Sequence, residues 1–545
     1  MSTHAANRPR AAAAYGLALL SGTLLAAWLV APARLFPSGG SDLPLAGDLA
    51  QAAIGQRYFV ADAWHWTLLR ADGLADGVNI AMTDSIPLEA VAIKLLRPAL
   101  PAGFYGIFLW YALCWVLQPA AAVFALRSAG ERRPVPAIAA AAMAASMPAM
   151  LIRVTHIALC SHFLLLLALG LYFRLARRAG VATWSAALLL PIVSLLVHPY
   201  LMVMVAATLA AAPISLLLRG ERRWRGVAAL LVAALAVTGA LGVLLGYAAP
   251  GERGGFGYYS MNLISPFYPY DSTLLPAPEG PGFGTAGQYE GYQYLGAGVL
   301  LLLVLCLACL RGRGVQARAL LRRHAGLWLA GAALTAFAVS DEIYLGRLHL
   351  LDLAWVPPVV GTLRATGRFF WPVGYMLLIG GVAWSARVLP RPAASALLLG
   401  AALLQVLDTG ALRRMVHREM HARPDWSVPA AALRPLLATH GRLVIWPTFG
   451  CGADELAEPS FMQVLLLASE TALPVNTMYV ARNTGAFQCD EPAVLHRLAA
   501  ADLLVLLPTV AGSVPPALAA ARFTCRRLGR LAVCSHDPGG HPGGD

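Results

Sequence analysis

Six aspartates, Asp42, Asp48, Asp62, Asp72, Asp76 and Asp84, crowd segment 37–87 of an otherwise apolar chain. Carboxylates close to a bilayer are costly and are kept for ion passage, proton transfer or substrate handling. The plain alternative is a solvated loop whose acids face water. Asp84 precedes Ser85-Ile86-Pro87, where the chain turns into its next apolar stretch. It could orient a base, bind an acceptor or help hold a divalent ion, or it could cap the helix that Pro87 opens. A second set is cationic. Arg364 and Arg368 stand four apart, so on a helix they share one face and form a two-pronged phosphate site, or else anchor a membrane edge. Tyr258 and Tyr259 belong to a Gly-, Pro- and Tyr-rich stretch, 248–292. Such rings stack on sugars, and they also build interfacial belts.

These groups must be positioned by a membrane-embedded scaffold. The 545 residues are 58% hydrophobic and 13% charged, with a mean hydropathy of +0.64. A soluble domain carries more polar surface than this. The excess of 41 Lys+Arg over 28 Asp+Glu gives a net charge of +13. Those cations sit in short clusters between apolar runs, which is a topology signal and not a nucleic-acid surface. Window hydropathy predicts about eleven spans: 11–30, 101–126, 135–152, 157–174, 182–198, 201–218, 227–247, 293–310, 326–340, 369–386 and 393–408. The first is read as a retained helix, because no small-x-small cleavage site follows it. Alternate loops are arginine-rich, so the N-terminus is expected in the cytoplasm, with the first loop (33–100) and the tail outside. Within that loop, 48–69 and 86–100 read as interfacial helices, with Trp64 and Trp66 in the headgroup layer.

Beyond Asp408 the composition becomes that of a soluble segment. Strands are expected at 442–448, 475–480 and 502–507, and helices near 460–470, 492–500 and 516–521. Segments 522–527 and 530–535 form a terminal hairpin that brings Cys525 near Cys534. Cys451 with Cys489 is then the other candidate disulfide, although sequence alone leaves the connectivity open. The organisation expected is a helical transmembrane domain over 1–408, an α/β domain over 409–536 and a disordered end, 537–545. P-loop, dinucleotide-binding and zinc-ligand spacings are absent, and Cys306-x-x-Cys309 inside an apolar run reads as packing.

Gly47-Asp48 after the first span, Thr83-Asp84-Ser85-Ile86-Pro87-Leu88 with Ala92-Ile93-Lys94-Leu95-Leu96, and Leu363-Arg364-Ala365-Thr366-Gly367-Arg368-Phe369 before a late span occur in an order that resembles the GT-C class of integral-membrane glycosyltransferases. The likeness covers about residues 11–408 and is nearest to a functionally uncharacterised bacterial branch of that class. It implies transfer of a sugar from a polyprenyl-phosphate carrier to a surface glycan, lipid or protein at the outer face of a bacterial inner membrane. By position it implies Asp48 as the acid that activates the acceptor, with Asp42 second and Asp84 in support. It implies Arg364, Arg368 and Arg153 around the donor phosphate, and His198, Tyr258 and Tyr259 near sugar or acceptor. The lipid-linked donor is the substrate, no resident cofactor is required, and a divalent metal is compatible. A transporter or flippase of lipid-linked glycans, or a non-catalytic envelope assembly protein, is the alternative. Spans almost free of Asp and Glu argue against an ion-coupled carrier.

Overall fold

The computed structural model of the chain describes residues 7–37, 46–248, 255–276, 283–353, 362–422, 425–451, 459–481, 489–512, 515–516, 518 and 521–536. They fall into two compact units. One comprises 1–31, 110–241 and 253–421; the other comprises 32–109, 242–252 and 422–545. The first loop, expected to belong to the transmembrane domain, thus packs with the tail.

The first unit is a bundle of apolar helices. Among the described residues seven helices are long and apolar enough to cross a membrane: Ala11–Leu29, Ile107–Ala129, Ile157–Leu175, Pro199–Leu218, Trp224–Leu244, Thr366–Val388 and Arg391–Asp408. The other four expected spans are shorter apolar helices: Pro134–Ala144, Val181–Val197, Ala297–Ala308 and Ala325–Val339. Two of these shortenings have a visible cause. The 135–152 run is split because Pro148 restarts a helix and Met147 before it is extended. The 293–310 run begins only at Ala297, whose N–H donates to the buried Asp408 carboxylate at 2.8 Å. A twelve-residue helix is about 18 Å long, against a hydrocarbon core of about 30 Å. After Ala325–Val339 the chain makes an antiparallel hairpin, Glu342–Leu345 with Leu348–Asp352, where the sequence suggested only a loop.

The second unit is built around a four-stranded sheet in the order Arg442–Trp446, Asp502–Leu506, Leu531–His536, Phe523–Leu528. The first pair is parallel, Leu443 opposite Leu503, and the others are antiparallel. Asp502–Leu506 is buried at every position, as its unbroken apolar run requires of a central strand. Val444, Trp446, Leu504, Leu506, Phe523 and Ala532 form its core. Segment 475–480 does not form the expected strand. Val475 instead makes single bridges, its N–H donating to Gly73 O at 2.9 Å while its carbonyl accepts from Ala75 N at 2.8 Å. Expected helix 516–521 lies largely outside the described residues, as does the end from 537.

Candidate functional site

In the second unit Asp48 occupies the first turn of the Gly47–Ala61 helix. A carboxylate there faces the unsatisfied N–H groups and positive end of the helix dipole. Tyr479 Oη donates to Asp48 Oδ1 at 3.1 Å, and Gln51 Nε2, one turn on, donates to Tyr479 O at 2.9 Å. Two residues later Ala481 N donates to Met82 O at 2.8 Å. The 479–481 segment is therefore stitched to the Asp48 turn on one side and to the turn before Asp84 on the other. Asp42 lies outside the described residues.

The Gly47–Ala61 helix is not interfacial, as its mixed composition suggested, but buried from Ala50 to Val60. Its polar residues are there to join segments. Arg57 Nε donates to Gly103 O at 2.8 Å and its Nη1 to Ser469 Oγ at 3.2 Å. Gln56 Nε2 donates to Ser85 O at 3.0 Å.

Asp84 and Ile86 both adopt left-handed backbone, φ 56° and 49°. For a β-branched residue this costs about 1–3 kcal/mol and persists only where the surroundings impose it. Here Ser85 Oγ donates to Ala52 O at 3.0 Å and lies 2.7 Å from Thr83 Oγ1. Gly55 makes the approach possible, since a Cβ there would sit 2.2 Å from Ser85 Oγ. The N-cap position of Pro87–Leu96 is Ile86, so neither Asp84 nor Ser85 stands at the position a capping residue takes.

Asp62, His65 and Asp72 place three potential metal-ligating atoms within 4.8 Å of one another. They already answer each other. His65 Nε2 lies 3.2 Å from Asp62 Oδ2, His65 Nδ1 lies 3.2 Å from Asp72 Oδ2, and Arg70 pairs with Asp72. Burial works to raise the Asp62 carboxyl, but the Asp72 N–H and His65 outweigh it and hold it below the usual range.

In the first unit a buried cluster gathers several of the cations nominated from sequence. Glu290 Oε2 accepts from Arg368 Nε at 3.0 Å, lies 2.9 Å from Arg368 Nη2, and also pairs with Arg153 Nη1. Arg153 Nη2 donates to the Glu290 carbonyl at 2.7 Å, and His156 Nε2 stands 3.6 Å from Glu290 Oε1. Burial works to raise the Glu290 carboxyl, but the two guanidiniums overcome it and hold it far below the usual carboxylate range. The turns meet here because Gly291 and Gly367 lack side chains. A Cβ on Gly367 would fall 2.4 Å from Gly291 Cα, so only bare backbone brings Glu290 and Arg368 into register. Ser265 Oγ donates to Gly291 O and Gln293 Nε2 to Gly367 O, both at 2.7 Å, fixing the contact.

Aromatic rings continue the cluster. Arg153 lies over Trp371 at 5.5 Å and Arg368 over Tyr200 at 5.2 Å. Tyr200 Oη accepts from Ala365 N at 3.0 Å, while His198 Nδ1 accepts from Tyr200 N at 3.2 Å. Gly367 N donates to Tyr259 O at 3.1 Å, Tyr259 packs edge-on against Tyr258, and Arg364 lies over the Tyr259 ring at 5.7 Å. The structure thus brings Arg153, Arg368, Arg364, His198, Tyr258 and Tyr259 to one region. Their states differ: Arg153 and Arg368 are spent on Glu290, while exposed Arg364 has no ion-pair partner among the described residues. Glu290 was missed from sequence. It stands between Tyr289 and Gly291 in a loop that also carries Glu252, Asp271 and Glu279, and nothing local sets it apart from them.

Both tail pairs nominated from sequence, Cys451 with Cys489 and Cys525 with Cys534, are disulfide-bonded. The second joins directly opposed residues of the terminal hairpin.

Residues 18–410 match the family described as a domain of unknown function, DUF6311, and residues 432–536 match the DUF6311 C-terminal domain. No curated protein matches the chain.

Proposed function

The chain belongs to the DUF6311 family, and we propose that it is an integral-membrane glycosyltransferase that moves a sugar from a polyprenyl-phosphate donor to an acceptor hydroxyl. The observation that supports this best is the convergence of Arg153 with Arg364 and Arg368, from two separate segments, on a loop rich in tyrosine. In this reading the Glu290-bound pair is the rigid floor and Arg364 is the cation that meets the carrier phosphate. A fixed guanidinium stabilises charge as it develops on a leaving phosphate.

The reaction is an inverting displacement. The acceptor oxygen bonds to the anomeric carbon, the carbon–oxygen bond to the carrier phosphate breaks with its electron pair to that phosphate, and the acceptor proton passes to the Asp48 carboxylate. Its place on a helix first turn, beside a tyrosine hydroxyl, fixes where the Asp48 carboxylate stands for this step. The arginine-rich alternate loops put the N-terminus in the cytoplasm of a bacterial inner membrane, and with the four shorter helices counted as crossings, eleven spans carry the tail to the other side. The first loop and tail then lie in the periplasm.

Sugar transfer from a radiolabelled polyprenyl-phosphate donor in membranes carrying Asp48→Asn tests the assignment. General-base loss lowers the rate by about 10²–10⁴-fold. Full transfer by a folded Asp48→Asn protein would sink the role given to this carboxylate. No transfer by the parent chain, combined with donor movement across vesicles, would favour a flippase.

A further inference from the structure

The N-terminal helix Ala11–Leu29 touches Ile107–Ala129 most closely at Gly22, where a Cβ would lie 2.6 Å from Trp115 O. On either side of that contact small residues leave space. Ala14, Ala18, Ser21, Ala137 and Ala141 line an apolar groove of about 1040 Å³ between this helix and Pro134–Ala144. From Ala13 to Leu25 the groove follows twelve helical steps, about 18 Å, a little more than half of a hydrocarbon core of about 30 Å. Its length is that of one leaflet.

The two ends differ in charge. At one, Arg413 is turned back onto the end of the preceding Arg391–Asp408 helix, Nη1 donating to Thr409 Oγ1 at 2.7 Å and Nη2 to Val406 O. At the other, the 127–133 turn is ringed by guanidiniums. Arg174 Nε donates to Ser128 Oγ at 3.1 Å, while Arg177 and Arg387 both donate to Ala129 O, at 2.7 and 2.8 Å. Glu131 is held by Arg133. Arg132 borders the groove, is exposed, and has no ion-pair partner among the described residues.

We propose that this groove is a binding site for an anionic bilayer phospholipid, its acyl chains between the N-terminal and Pro134–Ala144 helices and its phosphate on Arg132. A zwitterionic lipid fits the apolar walls equally but returns a cation to a site already rich in them. A neighbouring transmembrane helix would fill the walls and leave Arg132 uncompensated. The site is independent of the transfer reaction.

The test is native mass spectrometry of the detergent-purified full chain, titrated with dioleoyl-phosphatidylglycerol and dioleoyl-phosphatidylcholine. One phosphatidylglycerol should be retained preferentially, with Arg132→Ala reducing its retention about five- to tenfold. Ile138→Trp, on the exposed rim of the groove, should abolish retention, while Leu20→Trp, exposed and outside it, should leave retention unchanged. Equal retention of both lipids by the parent chain overturns the proposal without recourse to any variant. So does unaltered phosphatidylglycerol binding by Arg132→Ala, or a lipid-free dimer cross-linked through Ile138→Cys.

Discussion

Replacing Glu290 by Gln removes one negative charge from between two buried guanidiniums while keeping the shape of the side chain. Glu290 Oε2 takes two contacts from Arg368, at 3.0 and 2.9 Å, and one from Arg153. Removing one member of a buried ion pair costs about 3–5 kcal/mol, because the remaining charge stays desolvated. The amide can still accept through one oxygen, so the expected loss lies near the lower bound, about 3 kcal/mol. The amide NH₂ also has to face a donor. Denaturant unfolding in detergent, followed by tryptophan fluorescence, should show this loss, and Glu290→Gln with Arg153→Met should recover part of it. The pH dependence provides a second check. A carboxyl held far below its ordinary value contributes stability that is complete above the unfolded value of about 4.3 and fades only as the pH falls through the folded one. The difference between parent and variant should therefore persist undiminished from about pH 8 to 9, above the range in which His156, 3.6 Å from Glu290, exchanges its proton. A Glu290→Gln protein as stable as the parent there would refute an ionised Arg153–Glu290–Arg368 cluster.

Tyr479→Phe deletes the hydroxyl that donates to Asp48 at 3.1 Å and should cost about 1.5–3 kcal/mol in urea unfolding of the purified chain, the range for a bond to a charged group. Reduction of the tail disulfides should destabilise unequally, by about 4 kcal/mol for Cys451–Cys489 (separation 38) and about 3 kcal/mol for Cys525–Cys534 (separation 9). Single Cys→Ser pairs compared by thermal scan check the order. Burial lowers the Lys94 amine to about 8, while its Nζ rests on the Phe59 ring at 4.0 Å and the Trp64 ring at 4.5 Å. Because the charged form is disfavoured in the fold, the penalty is full below pH 8 and is relieved as the pH rises towards about 10.4. The parent should thus gain stability relative to Lys94→Met over that interval, as measured by unfolding at each pH.

The apolar runs were legible because a bilayer demands length and hydropathy, two properties that windows read directly. Their interruptions were less so. Pro148 breaks one run, and the Ala297 start is set by Asp408, a residue far along the chain. Arg442–Trp446, Asp502–Leu506 and the terminal hairpin follow local pattern. The 475–480 segment does not, because the backbone partners of Val475 are Gly73 and Ala75, which no local window contains. The interfacial character assigned to 48–69 failed over Ala50–Val60 for a related reason. Gln51, Gln56 and Arg57 look like surface groups until Tyr479, Ser85, Glu89, Gly103 and Ser469 arrive to satisfy them. Arg364 and Arg368 were legible as a pair, but not as groups in different states. Glu290, which divides them, depends on a glycine-to-glycine contact that spacing cannot reveal.

The lacing of 473–481 into the first loop has a consequence for biosynthesis. Tyr58, Gln51 and Ala75 each complete their hydrogen bonding with chain that leaves the ribosome hundreds of residues later. Until that chain emerges, 46–109 has a half-made interior, and a stop codon anywhere upstream of 474 leaves it so permanently. Nonsense and frameshift alleles late in the gene should therefore behave as losses of the whole second unit, cleared by quality-control proteases, and not as proteins merely lacking an appendage.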